Sequence, residues 1–354
     1  MKIKSIKAFK KNLKLQKPYT IARETITNVE NVFFEIKLAN GITGIGAANP
    51  APDVVGENIS QTLENLHSEF LEYLVGKDIR HFQQLIYTCR TNFKNLPGTQ
   101  ACIDIALHDA FCQYLGVSVL DFYGRHHEKM LTSVTIGIKN VEETIKEADE
   151  YFEKGFRILK VKTGSNAELD AERIIKLDER FGDHFVIRVD ANTGYTIDEL
   201  KFFLELTKDR NIELIEQPLP PSADKDLLQL SQETRQKLAA DESLKNAKAG
   251  LELAKQNLYG IFNIKLMKCG GIKAALEIAN IARAGSIDVF WGCNDESITS
   301  ITAALHAAFA TPHTKYIDLD GSFDLAEDIV EGGFSVKDGY MYVNNKPGLG
   351  LKLV

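Results

Sequence analysis

The chain has 354 residues, 44% hydrophobic and 26% charged, with a formal net charge of −7. That length can bury a large core, in one barrel or two domains, and the acidic balance lacks the basic face of a nucleic-acid binder. Lysines interrupt every apolar run of the opening "MKIKSIKAFKKNLKLQKPY", so it does not read as a secretory signal, and no later stretch reaches the length of a transmembrane helix. Five cysteines, Cys89, Cys102, Cys112, Cys269 and Cys293, form no CxxC pair. They fit reduced thiols in a cytoplasmic protein, with neither nucleic acid nor membrane as partner.

The first third reads as strands followed by helices. "NVFFEIKLANGITGIGAA" (31–48) holds two apolar runs separated by Asn-Gly, a hairpin signal. "QTLENLHSEFLEYLVG" and "ACIDIALHDAFCQYLG" then take helical spacing, each ended by glycine. After about residue 131 short β-rich runs alternate with amphipathic helical stretches: "SVTIGI", "RILKVK", "FVIRVD", "IELIE", "KLAAD", "GIFNIK", "IDVFWG" and "YIDLD". Their ends recur roughly every 25 residues, one βα unit each, which predicts a parallel sheet with helices outside. Eight strands point to a (β/α)7β-type barrel, with a doubly wound open sheet as the competing arrangement. The expected division is an α+β capping domain over 1–125, the barrel over 126–330, and a glycine-rich segment over 331–354 that packs back on one of them.

The last residue of successive strands carries the chemistry. Lys160 and Lys162 share one side of their strand by alternation, and Asp190, Glu216, Asp241 and Lys265 end the next four, with Asp318 and Asp320 on the last. Any one of these is ordinarily a helix cap or a solvated turn residue. So many at the same end of consecutive strands are not explained as caps, because parallel barrel strands converge on one face.

Carboxylates Asp190, Glu216 and Asp241 would repel one another there. A hard divalent cation resolves the repulsion, and three protein oxygens with half a shell left open suit Mg²⁺. Lys162 and Lys265 would flank that ion from opposite sides. This arrangement suits removal of the proton α to a carboxylate, with Mg²⁺ and Lys160 stabilising the enolate. A lysine acting as base also needs a lowered pKa, which neighbouring cations would provide. "KCGGIKAA" (268–275) lacks the ending of a phosphate loop and reads as a turn into a helix, and His306 reads as a helix-packing residue.

These motifs resemble the enolase superfamily, specifically its muconate-lactonizing subgroup and the dipeptide epimerases within it. The likeness runs nearly end to end through "DIALHDAFCQYLGVSVLDFYG", "LKVKTG", "RVDANTGY", "IEQP", "ADES", "NIKLMKCGG", "YIDLDG" and "KPGLGL". It implies Lys162 and Lys265 as the two acid/bases, Lys160 as the enolate partner, and Asp190, Glu216 and Asp241 as Mg²⁺ ligands. Asp318 and Asp320 resemble the element that binds a dipeptide's α-ammonium, which favours a dipeptide over the substrates of muconate cycloisomerases and o-succinylbenzoate synthases. The implied reaction is inversion at the C-terminal residue's α-carbon by two-base proton transfer, in a protein expected to form a homo-oligomer. A barrel that binds metal and ligand without catalysis would be expected to lack one of these residues.

Substrate choice departs from the pattern of Ala-Glu epimerases, which carry an arginine in a stretch like "KPF.TA.RT". Here "KPYTIARETI" places Arg23 one position early and Glu24 at the matching one, and "GCNDES" adds Asp295. Two extra acids favour a cationic Lys or Arg side chain. In the alternative, Arg23 takes the reading position and restores Ala-Glu specificity. Thr135 and Cys293 complete the expected substrate-binding residues.

Overall fold

The computed structural model describes residues 1–354 apart from 22 and 23, and the side chains of residues 17–26 fall outside that description. Three antiparallel strands, Ile3–Ile21, Glu24–Leu38 and Thr43–Ala48, open the chain in that spatial order. The expected Asn-Gly turn joins the last two, with Gly41 at φ 93°. Helix Pro97–Leu115 lies on the third strand, and "GITGIGAA" shows why it can come so close. A side-chain carbon on Gly44 or Gly46 would run into the helix backbone at Ala106 and Cys102.

That helix has no cap of its own, since Leu96 at its N-terminus offers no side-chain acceptor. Glu57 supplies it from a distance: its fully buried carboxylate accepts from Gly98 N (2.7 Å) and Thr99 N (2.9 Å). Orphan N–H groups at a helix start need such a partner when water is excluded.

Eight strands follow: Val134–Ile136, Ile158–Lys162, Val186–Asp190, Ile212–Glu216, Leu238–Ala240, Ile261–Ile264, Asp288–Trp291 and Thr314–Ile317. Each pairs in parallel with its sequence neighbours in unbroken order, which a doubly wound sheet cannot do. The first and last meet at a parallel bridge between Thr132 and Ile317. No helix follows the eighth strand. The chain instead runs back to the first long strand, where Gln16 N donates to Asp324 O and Ala326 N to Lys14 O, each at 2.7 Å.

Alternation along the strands builds the barrel interior in layers. Leu214, Ala239, Ile261, Phe290 and Tyr316 pack together inside, with buried Arg188 among them. Two residues further along, at the mouth, stand Asp190, Glu216, Asp241 and Asp318. The ionisable groups therefore rest on an apolar floor.

Acids of "DIALHDAF" join the parts. Asp104 accepts from Ile272 N (2.7 Å) and so caps barrel helix Ile272–Ala284. Asp109 accepts from Ile45 N (2.9 Å) in the sheet and from Leu349 N (2.8 Å) in the tail. The expected return of the tail onto the rest of the chain is made here and by a hairpin, Phe334–Lys337 with Tyr340–Val343, that extends onto Met130–Leu131. Among the described residues no helix is long and apolar enough to cross a membrane, and the five cysteines are free.

His306, fully buried, accepts from Leu120 N at 3.0 Å through Nδ1. Burial, aided by the charge of Arg125, pulls its pKa down to about 3. The unfolded chain, with an ordinary histidine, binds a proton that the folded chain refuses between about pH 6.5 and 3, so stability falls as pH drops through that window. Chemical denaturation across pH is expected to show up to about 1.4 kcal/mol lost per pH unit from this group. The His306→Asn variant, which keeps an acceptor for Leu120, is expected to lose that slope.

Candidate active site

Strand register assembles the mouth. Lys162 pairs with Asp190 across the second and third strands, and Asp190 with Glu216 across the third and fourth. Gln217, turned to φ 33°, ties the next junction: its Oε1 accepts from Asp241 N (2.9 Å), and its Nε2 donates to Tyr259 Oη (2.9 Å). The three carboxylates expected as ligands therefore form one row, each fully or almost fully buried.

Lysines neutralise this row. Lys162 Nζ donates to Asp190 Oδ2 (2.7 Å) and to Asn192 Oδ1 (2.9 Å) at one end. Lys265 Nζ donates to Asp241 Oδ2 (2.9 Å) at the other. The two expected acid/bases thus stand at opposite ends of the row. Lys160, 3% exposed, reaches across to Asp190 Oδ2 (3.1 Å), Glu216 Oε2 (2.9 Å) and Asp318 Oδ2 (2.9 Å).

Burial would raise Asp190 and Asp241, but the adjacent lysines outweigh it and hold both below the usual carboxylate range. Glu216 goes the other way: burial and the Asp190 charge push it up to about 8. The expectation of a lowered lysine pKa is not met by these side chains. Burial pulls Lys265 down, yet Asp241 and Glu216 together lift it above the ordinary lysine range, and Lys160 is raised by its three carboxylates in the same way. Lysine neighbours lower Lys265 less than the acids raise it.

The donor set fits a hard cation. It is all oxygen, and Glu216 Oε2, though near Lys160, makes no hydrogen bond, as does buried Glu242 Oε2 beside Asp241. Carboxylates left this way in a dry site gain from a divalent ion. Among the described residues no three acids or His/Cys side chains are drawn around a single point, because ammonium groups stand between the carboxylates.

The remaining expected residues fall at the strand ends nearby. Asp320 Oδ2 accepts from Thr135 N (2.8 Å), and Cys293 Sγ donates to Asp318 O (3.3 Å). Asp295 sits in a loop clamped by Asn49, whose Nδ2 donates to Asp295 O (2.6 Å) while Asn294 Nδ2 donates to Asn49 O (3.0 Å). Arg23 and the Glu24 side chain lie outside the described residues.

Sequence reading missed Lys268. The "KCGG" segment is a turn into a helix as expected, but the short helix Leu266–Cys269 swings Lys268 back under Asp241, where Nζ donates to both Oδ1 and the main-chain O. Its spacing of three from Lys265, on a helical turn, was the available signal. Asn263, donating to Glu216 Oε1 at 2.7 Å, was missed as well.

Models of two families match the chain: the "Mandelate racemase / muconate lactonizing enzyme, N-terminal domain" over residues 3–124, and "Enolase C-terminal domain-like" over 143–354. The L-Lys-D/L-Arg epimerase of Desulforapulum autotrophicum is 50% identical over 355 residues, covering 100% of both chains. A dipeptide epimerase from Methylococcus capsulatus, solved with Mg and the dipeptide L-Arg-D-Lys, superposes with a TM-score of 0.96 at 45% identity over 99% of each chain. The substrate-liganded L-Ala-D/L-Glu epimerase from Bacillus subtilis gives 0.93 at 27% identity over 99% of each.

Because Lys268 anchors one side of Asp241, the Lys268→Met variant is expected to weaken Mg²⁺ binding about 10- to 100-fold, the usual cost of losing a group that orients a ligand. Isothermal titration with Mg²⁺, without any dipeptide, measures it.

Proposed function

The chain belongs to the mandelate racemase/muconate lactonizing enzyme family, and from that premise we propose a Mg²⁺-dependent epimerase that inverts the α-carbon of the C-terminal residue of dipeptides carrying Lys or Arg. The observation that carries this reading is the placement of Lys162 and Lys265 at opposite ends of the Asp190, Glu216, Asp241 row. Two amines on either side of one α-carbon can exchange its proton between faces. A single base cannot.

Asp190, Glu216 and Asp241 would hold the cation. Bound Mg²⁺ supplies Lewis acidity toward the substrate carboxylate and offsets the negative charge that lifts the lysine pKa values. Lys162 takes the α-proton on one face, Lys265 delivers one on the other, and the roles exchange for the reverse reaction. Lys160 donates to the oxygen where enolate charge develops. The acids after the eighth strand receive the α-ammonium. A preference for cationic side chains is supported by relatives that act on Lys and Arg dipeptides, and by the acids Asp295 and Glu24 in this chain. The five free thiols support a cytoplasmic setting.

Incubation of dipeptides in D₂O with Mg²⁺, read by mass increase and by chiral separation, tests the proposal. L-Lys-L-Lys and L-Arg-L-Lys are expected to gain one deuteron and racemise at the second residue faster than L-Ala-L-Glu, while equal or faster Ala-Glu turnover would overturn the cationic preference. Lys162→Ala and Lys265→Ala should each abolish epimerisation.

The pH dependence follows from Asp320. Burial and the charge of Asp318 push its carboxyl up to about 7, against the hydrogen bonds from Thr135. Since only the ionised form attracts an ammonium, KM for a dipeptide is expected to climb as pH falls below about 7, by up to about tenfold per unit, and to level off above it. Initial rates between pH 5.5 and 8.5 check this.

A further inference from the structure

The paired acids after the eighth strand are not equivalent. Asp318 is 3% exposed, and both its oxygens are taken: Oδ1 accepts from Ser133 Oγ (2.7 Å) and Oδ2 from Lys160 Nζ (2.9 Å). Asp320 is partly exposed, held through Oδ2 by Thr135 N at 2.8 Å. An incoming ammonium meets Asp320 first, and Asp318 faces inward to a lysine.

Behind Asp318 runs a line of donors with no part in the chemistry described so far. Arg188, 2% exposed, lies between the rings of Phe290 and Tyr316 (5.4 and 5.2 Å to their centroids) and is fixed through Nε on Glu213 Oε2 at 2.7 Å. Its Nη1 donates to Ile317 O (2.7 Å) and to Ser133 Oγ (3.1 Å). Accepting from Arg188, the Ser133 hydroxyl points its one hydrogen at Asp318. The line crosses the junction of the first and eighth strands, beside the Thr132–Ile317 bridge, so it fixes Asp318 against the part of the barrel with the least strand pairing.

Lys160 contacts three carboxylates, of which Asp190 and Glu216 are the two that a divalent cation would claim. Asp318 is the partner left to aim Lys160.

We propose that these two acids divide the work: Asp320 contacts the substrate's α-ammonium, whereas Asp318 is a positioning residue, oriented by Arg188 through Ser133, that aims the Lys160 ammonium at the developing enolate oxygen. The division rests on the epimerase reading and separates two kinetic effects. Loss of an ammonium contact weakens ground-state binding, and loss of aim on Lys160 weakens an interaction made in the transition state.

The test is steady-state epimerisation of the dipeptide that the Mg²⁺-loaded wild type turns over fastest, with Mg²⁺ affinity measured alongside by titration. Asp320→Asn is expected to raise KM about tenfold or more. Asp318→Asn and the milder Ser133→Ala are expected to lower kcat about tenfold or more and about three- to tenfold respectively, with KM changing less than about threefold and Mg²⁺ affinity retained. A rise in KM with kcat preserved in Asp318→Asn or Ser133→Ala would overturn the division, as would an unchanged kcat in both. A wild type that exchanges no α-proton on any dipeptide defeats the activity itself, whereas normal wild-type exchange with the opposite pattern in the variants defeats only the division.

Discussion

Parallel pairing sets like charges side by side at the mouth of the barrel. The register that aligns Lys162 with Asp190 and Asp190 with Glu216 leaves no freedom to spread these groups, because each side chain leaves a strand whose neighbours are fixed by main-chain hydrogen bonds. Below them lies the apolar layer of Leu214, Ala239, Ile261, Phe290 and Tyr316, which keeps water from screening the repulsion. Positive charge must be brought in, and the chain does so with four lysines from three places: the second strand, the end of the sixth and the helical turn after it. The geometry that would be a fault in a structural barrel is what prepares this one for a cation and for two opposed amines.

The same low-dielectric setting explains why so many buried acids elsewhere act as helix or backbone anchors. Glu57, Asp104 and Asp109 each accept two or more main-chain N–H groups, and each joins segments far apart in sequence. A carboxylate accepts several such bonds with more strength than an amide, so one residue can do the joining that a loop would do loosely. Asn49 extends the principle to the rim, where it clamps the loop of Asp295. Residues that contact substrate are thereby carried on segments locked to the barrel.

Much of this was legible in the chain, because the decisive signals are local. Alternation within "LKVK" fixes the common side of Lys160 and Lys162, and the recurrence of an ionisable residue after each apolar run survives any error of one or two residues in strand limits. Resemblance to the muconate-lactonizing enzymes, read from motifs spread over the chain, agrees with the matches to both parts. What sequence could not give is contact across the fold. Arg188 and Ser133 look like ordinary strand residues until the first and eighth strands meet, and Glu57 is separated from the helix it caps by 41 residues. The direction of the lysine pKa values was misjudged for a related reason: lysine neighbours were visible in sequence, while the number of carboxylates around each ammonium emerges only once the barrel closes.

One bond carries a consequence for how the chain is made. Asp109 sits in a helix that leaves the ribosome early, yet one of its oxygens is matched only by the amide of Leu349, five residues from the C-terminus. A nascent chain holding the sheet and that helix therefore keeps a poorly satisfied acid against its apolar interior until translation is almost over. Vectorial folding of the leading third cannot run to completion by itself, and the final strand serves as the closing stitch of the first part to be synthesised.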